Sequence, residues 1–138
     1  MRIGIIGTGW GARVQVPAFR LAGLEISGLA GQNREKTARE AGRLGVAAFD
    51  DWRDLLAGDA ELISIVTPPA FHREMALAAL AAGKHVLCEK PTALNTAEAL
   101  ELAAAAAQHP GKLSLLDHEL RFLPALRLAR EIIQRGDL

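Results

Sequence analysis

The sequence predicts an α/β protein: a doubly wound, mostly parallel sheet with helices on both faces. Three observations carry this. Short runs of Val, Ile and Leu alternate with longer Ala-rich, charge-bearing segments along all 138 residues, the pattern left when each helix returns the chain to a parallel neighbour. The strand runs are apolar throughout rather than at every second position, as suits strands covered on both sides. No repeat, low-complexity tract or Pro/Gly-rich linker interrupts the alternation, so residues 1–138 read as one domain.

Each element has a local reason. Ile3–Ile6 is the first strand, and the helix after it is placed with Pro17 in its first turn, where a missing N–H costs nothing, reaching Ala22. Leu24–Ala30 is the second strand. Asn33 caps a helix to about Leu44, and Gly45 stops it. Val46–Phe49 is a weak third strand, and Asp51 opens a short helical piece through Leu56. Leu62–Val66 is the fourth strand, followed by a helix over Phe71–Ala82 that Gly83 ends. After the fifth strand, His85–Cys88, Asn95 and Glu98 make a capping-box-like start for a helix ending near Pro110. Lys112–Leu116 is the sixth strand and Leu123–Arg135 the last helix, with Ala125, Leu126, Ala129, Ile132 and Ile133 on one side. That stripe is expected to pack on the protein's own sheet, the alternative being a partner domain or a membrane surface.

Composition narrows the function. With 16 Lys plus Arg against 16 Asp plus Glu the chain has no net charge, and only 4% of it is aromatic, with no Tyr. It lacks the basic field and stacking platforms that nucleic acid requires, so no nucleic-acid partner is expected. A chain of this size buries roughly two thirds of its unfolded surface and needs neither metal nor disulfide for a core. Its single cysteine, Cys88, suggests a reducing compartment. No apolar run approaches the ~18 residues of a membrane span, and the run from Ile3 is broken by Gly7, Gly9 and Gly11 with no cleavage site after it. The expectation is a cytoplasmic protein that does not enter a membrane. His72, His85, His109 and His118 show no paired ligand spacing, so no metal site is expected. Cys88 and His85 stand three apart on a strand, on opposite faces, which argues against a nucleophile pair.

The chemistry begins where strand one ends. Gly7-Thr8-Gly9-Trp10-Gly11-Ala12 matches G-x-G-x-x-A. Gly7 permits the tight turn, Gly9 lets a diphosphate approach the backbone, and Ala12 lets the next helix sit close to the sheet. Free N–H groups at the start of that helix then face the phosphates. Two roles stay open for Trp10: leaning over the cofactor or folding back onto the protein. About twenty residues on, where a carboxylate would hold the ribose of NAD, the chain reads Ala30-Gly31-Gln32-Asn33-Arg34. Gly31 leaves room for a 2′-phosphate, and Arg34 with Gln32 and Asn33 could bind it, so NADP is expected over NAD. In the alternative Arg34 is solvated and Gln32 or Asn33 holds a plain ribose.

Two further loops leave carboxyl ends of strands, Thr67-Pro68-Pro69 with His72, and Cys88-Glu89-Lys90-Pro91. With Ile3–Gly9, the stretches Val66–His72 and Ala82–Pro91 resemble the glucose-fructose oxidoreductase and inositol dehydrogenase (Gfo/Idh/MocA) family over nearly the whole chain. The resemblance implies a Rossmann domain binding NAD(P), and a hydride passed between nicotinamide and a hydroxyl-bearing carbon of a sugar- or cyclitol-like small molecule. It implies that Lys90 is catalytic, near nicotinamide and substrate on the proton side of the reaction, and that a cis peptide precedes Pro91. Bottom-up chemistry agrees, since a partly desolvated lysine can take a proton or polarise an oxygen; the alternative is a surface lysine paired with Glu89. By the same resemblance Thr67, Pro68 and Pro69 wall the cofactor path, and His72 matches a frequent histidine of that loop, with packing or capping the helix start as its alternative. Asp117, His118, Glu119 and Arg121-Phe122 match a polar cluster beside the active site, although Glu119 stands where an amide is more usual.

The family continues from such a turn as Gly136-Asp137-Leu138 into a second domain that supplies most of the substrate pocket and an Asp-x-x-x-His base. This chain is therefore expected to be an excised cofactor domain, or else a naturally short protein, turning over little or nothing alone, with a homo-oligomer open for a full-length form. The other readings are a non-catalytic nucleotide-binding module acting through a partner, and a structural subunit with a vacant fold.

Overall fold

The computed structural model describes residues 1–137; Leu138, the last residue of the Gly136–Leu138 turn, lies outside the described residues. Six parallel strands form one sheet in the order β3-β2-β1-β4-β5-β6. They are β1 (Arg2–Ile6), β2 (Glu25–Ala30), β3 (Ala47–Phe49), β4 (Leu62–Ile65), β5 (His85–Glu89) and β6 (Ser114–Asp117). The chain winds outward from β1 to β3, crosses back to β4 beside β1, then winds the other way to β6. Loops after β1 and β4 therefore diverge, which opens a crevice at the carboxyl ends of these two central strands.

Helices cover both faces, as the apolar strand runs require. Helices α1 (Val16–Leu21) and α2 (Arg34–Leu44) close one core around Ile3, Ile5, Ala12, Val16 and Leu29. On the other face α3 (Trp52–Ala57), α4 (His72–Ala81) and α5 (Thr96–Ala107) close a second around Leu55, Ile63, Ile65, Ala79 and Val86. Ile3, Ile5, Ile63 and Ile65 have no solvent exposure, and each such side chain contributes roughly 1.5–3 kcal/mol of burial. The caps sit where local chemistry places them. Asn33 accepts from the N–H of Lys36 at 2.8 Å, Asp51 from that of Arg53 at 2.9 Å, and Asn95 from that of Glu98 at 3.0 Å. Glu98 completes its box on the N–H of Leu94 rather than on that of Asn95.

One sequence expectation is refined and one is corrected. Pro17 stands in the first turn of α1 as expected, but a π turn over Gly11–Gln15 precedes that helix, with the N–H of Val16 bonded to the carbonyl of Gly11. The wider turn comes just before Pro17, whose ring and missing N–H conflict with an ordinary α ladder. The last helix, α6 (Pro124–Arg135), does not pack on the sheet. None of its residues is buried, Leu126, Leu128 and Ile133 are largely exposed, and its main contacts are with the 3-10 turn Glu119–Phe122 before it. Leu113 and Leu115 of the neighbouring β6 segment are about half exposed as well. No helix among the described residues is long and apolar enough to cross a membrane.

Polar ties fix the loops around the crevice. His72 is fully buried at the start of α4, its Nε2 2.8 Å from the carbonyl of Thr67 and its Nδ1 2.8 Å from that of Pro91. It thus joins the loop after β4 to the loop after β5. Buried Ser64 donates to Oε1 of buried Gln15 at 2.6 Å, and Nε2 of Gln15 donates to Asp117 at 3.1 Å, which ties the π turn to the end of β6.

His72→Ala removes both contacts and opens a cavity, and is expected to lower unfolding stability by about 2–4 kcal/mol in urea denaturation; a loss below about 1 kcal/mol would show that the two loops hold without it. Burial, and then the charge of Glu89, push the Cys88 thiol up to about 12. Iodoacetamide at neutral to mildly alkaline pH should therefore alkylate the folded chain at least about a hundredfold more slowly than the urea-unfolded chain.

Candidate functional site

The crevice holds two adjoining recesses that share Val66 and Thr67. The larger, about 670 Å³, lies over the carboxyl ends of β1, β2 and β4 and is within the size range of small-molecule sites. The smaller, about 300 Å³, lies toward β5 and β6.

The glycine turn forms the floor of the larger recess. Gly7 takes φ +130°, and a Cβ there would stand 2.3 Å from the carbonyl oxygen of Val66. Only glycine can bring the end of β1 so close to the end of β4. At Gly9 a Cβ would meet nothing within 4 Å, so the backbone there is open to the recess. Gly7's own N–H bonds to the carbonyl of Ala30, while those of Thr8 and Gly9 have no backbone acceptor among the described residues. Gly11 and Ala12 lie behind the floor; a Cβ at Gly11 would come within 2.8 Å of Ile5 Cγ2, and Ala12 is fully buried. Open amides above close helix-to-sheet packing suit an anionic, diphosphate-sized group.

At the end of β2, Gly31, Gln32 and Asn33 line the recess, with Lys36 one turn into α2. The side-chain oxygen of Asn33 is committed to capping α2. Arg34 is not on the lining; its guanidinium bonds to Asp50, which is. Gly31 lines the recess, and a Cβ there would meet Thr37 Oγ1 at 2.7 Å and Thr8 Cγ2 at 2.8 Å, so its smallness also lets the loop after β2 pack against the glycine turn.

The segment after β3 forms a wall that the sequence reading missed. Asp50, Asp51, Trp52 and Arg53 line the recess, and the Arg53 guanidinium stacks 4.3 Å from the Trp52 ring centroid. Arg53 is held by Glu74 at 2.6 Å. Phe71 and Met75 add apolar surface from the β4 side. The available signal was the rule that ligands gather at carboxyl ends of strands, applied to β3 as to its neighbours. Lys36 was likewise legible as the residue three positions after a capping Asn33.

The smaller recess joins Trp10, Thr67, Glu89, Lys90 and Glu119. Trp10 has not folded into the core; it is half exposed and faces Lys90 across this space. Glu89 accepts from the backbone N–H of Lys90 at 3.2 Å and forms no ion pair with its ammonium. Burial foremost, then the neighbouring Asp117 charge, raise the Glu89 carboxyl above its ordinary value. A lysine side chain can take a proton from a bound hydroxyl as its free amine or polarise an oxygen as its ammonium, and here it stands beside a carboxyl with raised proton affinity.

Pro68 lines the larger recess with Thr67, while Pro69 opens a 3-10 turn behind it. The Lys90–Pro91 bond is cis. Pro91 lines neither recess, and it meets the site only through its carbonyl's contact with His72. Arg121 also lies outside both recesses, with its guanidinium 5.7 Å from the Phe122 ring. No group of three or more potential metal ligands occurs among the described residues.

Known proteins repeat this architecture. The chain is 35% identical over 133 residues to the human protein named glucose-fructose oxidoreductase domain-containing protein 2, covering 95% of this chain and 34% of that one. It spans about a third of the length of the curated relatives it matches. UDP-N-acetylglucosamine 3-dehydrogenase from Acidithiobacillus ferrooxidans superposes with a TM-score of 0.85 at 34% identity, covering 95% of this chain and 41% of that one. A 3-ketoreductase from Actinomadura kijaniata, solved with NADP and TDP-benzene, superposes with a TM-score of 0.89 at 27% identity, covering 99% and 42%. The family model described as an oxidoreductase family with an NAD-binding Rossmann fold matches residues 1–116, and with that match over most of its length the chain belongs to the Gfo/Idh/MocA oxidoreductase family.

Proposed function

We propose that this chain is the cofactor-holding part of an oxidoreductase that passes a hydride between the nicotinamide of NADP, or of NAD, and a hydroxyl-bearing carbon of a sugar- or cyclitol-like molecule. The observation that carries the reading is the floor of the larger recess, where Thr8 and Gly9 present N–H groups without acceptors and Gly9 has open space where a Cβ would stand. A diphosphate supplies the acceptors that these amides lack.

The remaining residues fit around such a ligand. Trp52 with its stacked Arg53 on one side, and Phe71 and Met75 on another, offer planar and apolar surface for a base. Gln32, Asn33 and Lys36 stand at the end of β2, with Arg34 beside them. The absence of a carboxylate at the end of β2 supports NADP over NAD. Nicotinamide, when bound, supplies the carbon that accepts or donates the hydride. Lys90, as the free amine, takes the proton of the reacting hydroxyl and, as the ammonium so formed, returns it to the carbonyl oxygen in the reverse direction. Glu89 beside it offers a second proton-holding group, and Trp10 shields the recess from solvent. His72 and Pro91 act by holding the Lys90 loop against the Thr67 loop.

Substrate recognition falls to a further domain. The half-exposed apolar residues of the β6 segment and α6, together with relatives about three times as long, support a domain docked on that side, and the chain alone turns over little or nothing. The same exposed face supports a second reading, a nucleotide-binding module that acts through a separate partner.

Gly9→Val tests the cradle directly. Because its Cβ meets nothing, the variant should keep the wild-type melting temperature and circular dichroism while calorimetric affinity for NADP(H) and NAD(H) falls at least about tenfold. Equal affinity would remove the diphosphate from this floor. In a full-length protein carrying this domain, Lys90→Met should reduce kcat by about a hundredfold or more with nucleotide affinity retained; an undiminished rate would take Lys90 out of the proton path.

A further inference from the structure

The cleft carries a device for choosing between NADP and NAD, an inference that rests on the dinucleotide reading above. Two cations stand at the start of α2. Lys36 lines the cleft directly. Arg34 is turned from it, with Nη2 donating to Oδ2 of Asp50. Asp50 comes from the carboxyl end of β3 and itself lines the cleft, so the ion pair sits on its rim, bridging two strands' loops.

The other charges nearby are committed elsewhere. Asp51 caps α3 through the N–H of Arg53 and also pairs with that arginine's guanidinium at 3.4 Å. Arg53 is further held by Glu74 and by the Trp52 face. Arg34 and Asp50 have only each other, and their side chains are 74% and 58% exposed. Burial does not lock this pair, so a better partner can displace either member. The hydrogen bond from Arg34 holds the Asp50 carboxyl below its ordinary value, and Asp50 is therefore anionic at neutral pH. A phosphate on the adenosine ribose offers Arg34 more charge and a bidentate set of oxygens. A ribose hydroxyl offers neither.

We propose that Asp50 is a specificity-determining residue: it holds Arg34 in an exchangeable ion pair that a 2′-phosphate must break, and so limits how strongly the cleft favours NADP over NAD. Asp50→Asn keeps the shape and removes the anion. Arg34 is then free at the rim before the ligand arrives.

The test is calorimetric affinity of the 138-residue chain for NADP and for NAD, measured for wild type, Asp50→Asn, Arg34→Gln and the double variant, at low salt. Circular dichroism checks that each variant is folded. The ratio of affinities should move about two- to fivefold toward NADP in Asp50→Asn, the size expected when an exposed ion pair no longer competes. In the Arg34→Gln background the same substitution should produce no such gain. Near-physiological salt should shrink the gain by screening. An unchanged ratio in Asp50→Asn overturns the inference, as does an equal gain without Arg34. If wild type binds neither nucleotide, the dinucleotide reading fails first and takes this inference with it; binding of both with an unresponsive ratio leaves that reading standing and removes only this one.

Discussion

The close approach of two backbones at Gly7 governs the site. With the carbonyl of Val66 where a Cβ would stand, the chain leaving β1 lies directly against the end of β4. That contact requires a glycine at positive φ, and the amides of the next two residues, which line the larger recess, join no helix or strand ladder. Both recesses inherit their position from it, since Val66 and Thr67 line each of them. The parallel order β3-β2-β1-β4-β5-β6 then places the ends of β2 and β3 to one side and those of β5 and β6 to the other. One cleft can thereby receive a ligand long enough to span from Trp52 to Lys90.

Around that contact, buried polar groups hold loops that apolar packing alone would leave free. His72 sets its two ring nitrogens 2.8 Å from carbonyls of two different loops, and a ring nitrogen that carries a proton donates to the carbonyl it faces. Gln15 reaches across the sheet because its partners are complementary. A carboxylate can only accept, so the amide nitrogen faces Asp117 and the amide oxygen is left for the Ser64 hydroxyl. The arrangement explains why a polar Ser64 interrupts the otherwise apolar β4, and why Gln15 is buried on a π turn. The lysine loop and the end of β6 are thus located by hydrogen bonds, which have narrow geometry, rather than by shape alone.

Much of this was legible from the chain because it is local. The G-x-G-x-x-A turn, the caps at Asn33, Asp51 and Asn95, and the continuous apolar runs each depend on residues within a few positions, and the structure contains them all. The Arg34–Asp50 pair was not legible. It joins residues that become neighbours only when β2 and β3 pair, and Arg34 read alone was a free cation. The packing role of Gly31 was hidden for the same reason: its small size serves contact with Thr8 and Thr37, residues before and after it in the chain. The π turn depends on conflict between a helix already under way and Pro17, whereas a proline is usually met at a helix start. The stripe on α6 was visible, but periodicity states only that a face is apolar. It does not identify the surface that covers it.

In the proposed function, bare amides at Thr8 and Gly9 receive the diphosphate of a nicotinamide dinucleotide. Backbone amide NMR of the isotopically labelled chain, titrated with NADP, reads those groups one by one. The Thr8 and Gly9 resonances are expected to move together and saturably, with those of the Gly31–Asn33 loop and of Trp52 following on the same isotherm. Resonances that stay still at Thr8 and Gly9 while others saturate would place the ligand elsewhere and remove the diphosphate from the glycine turn.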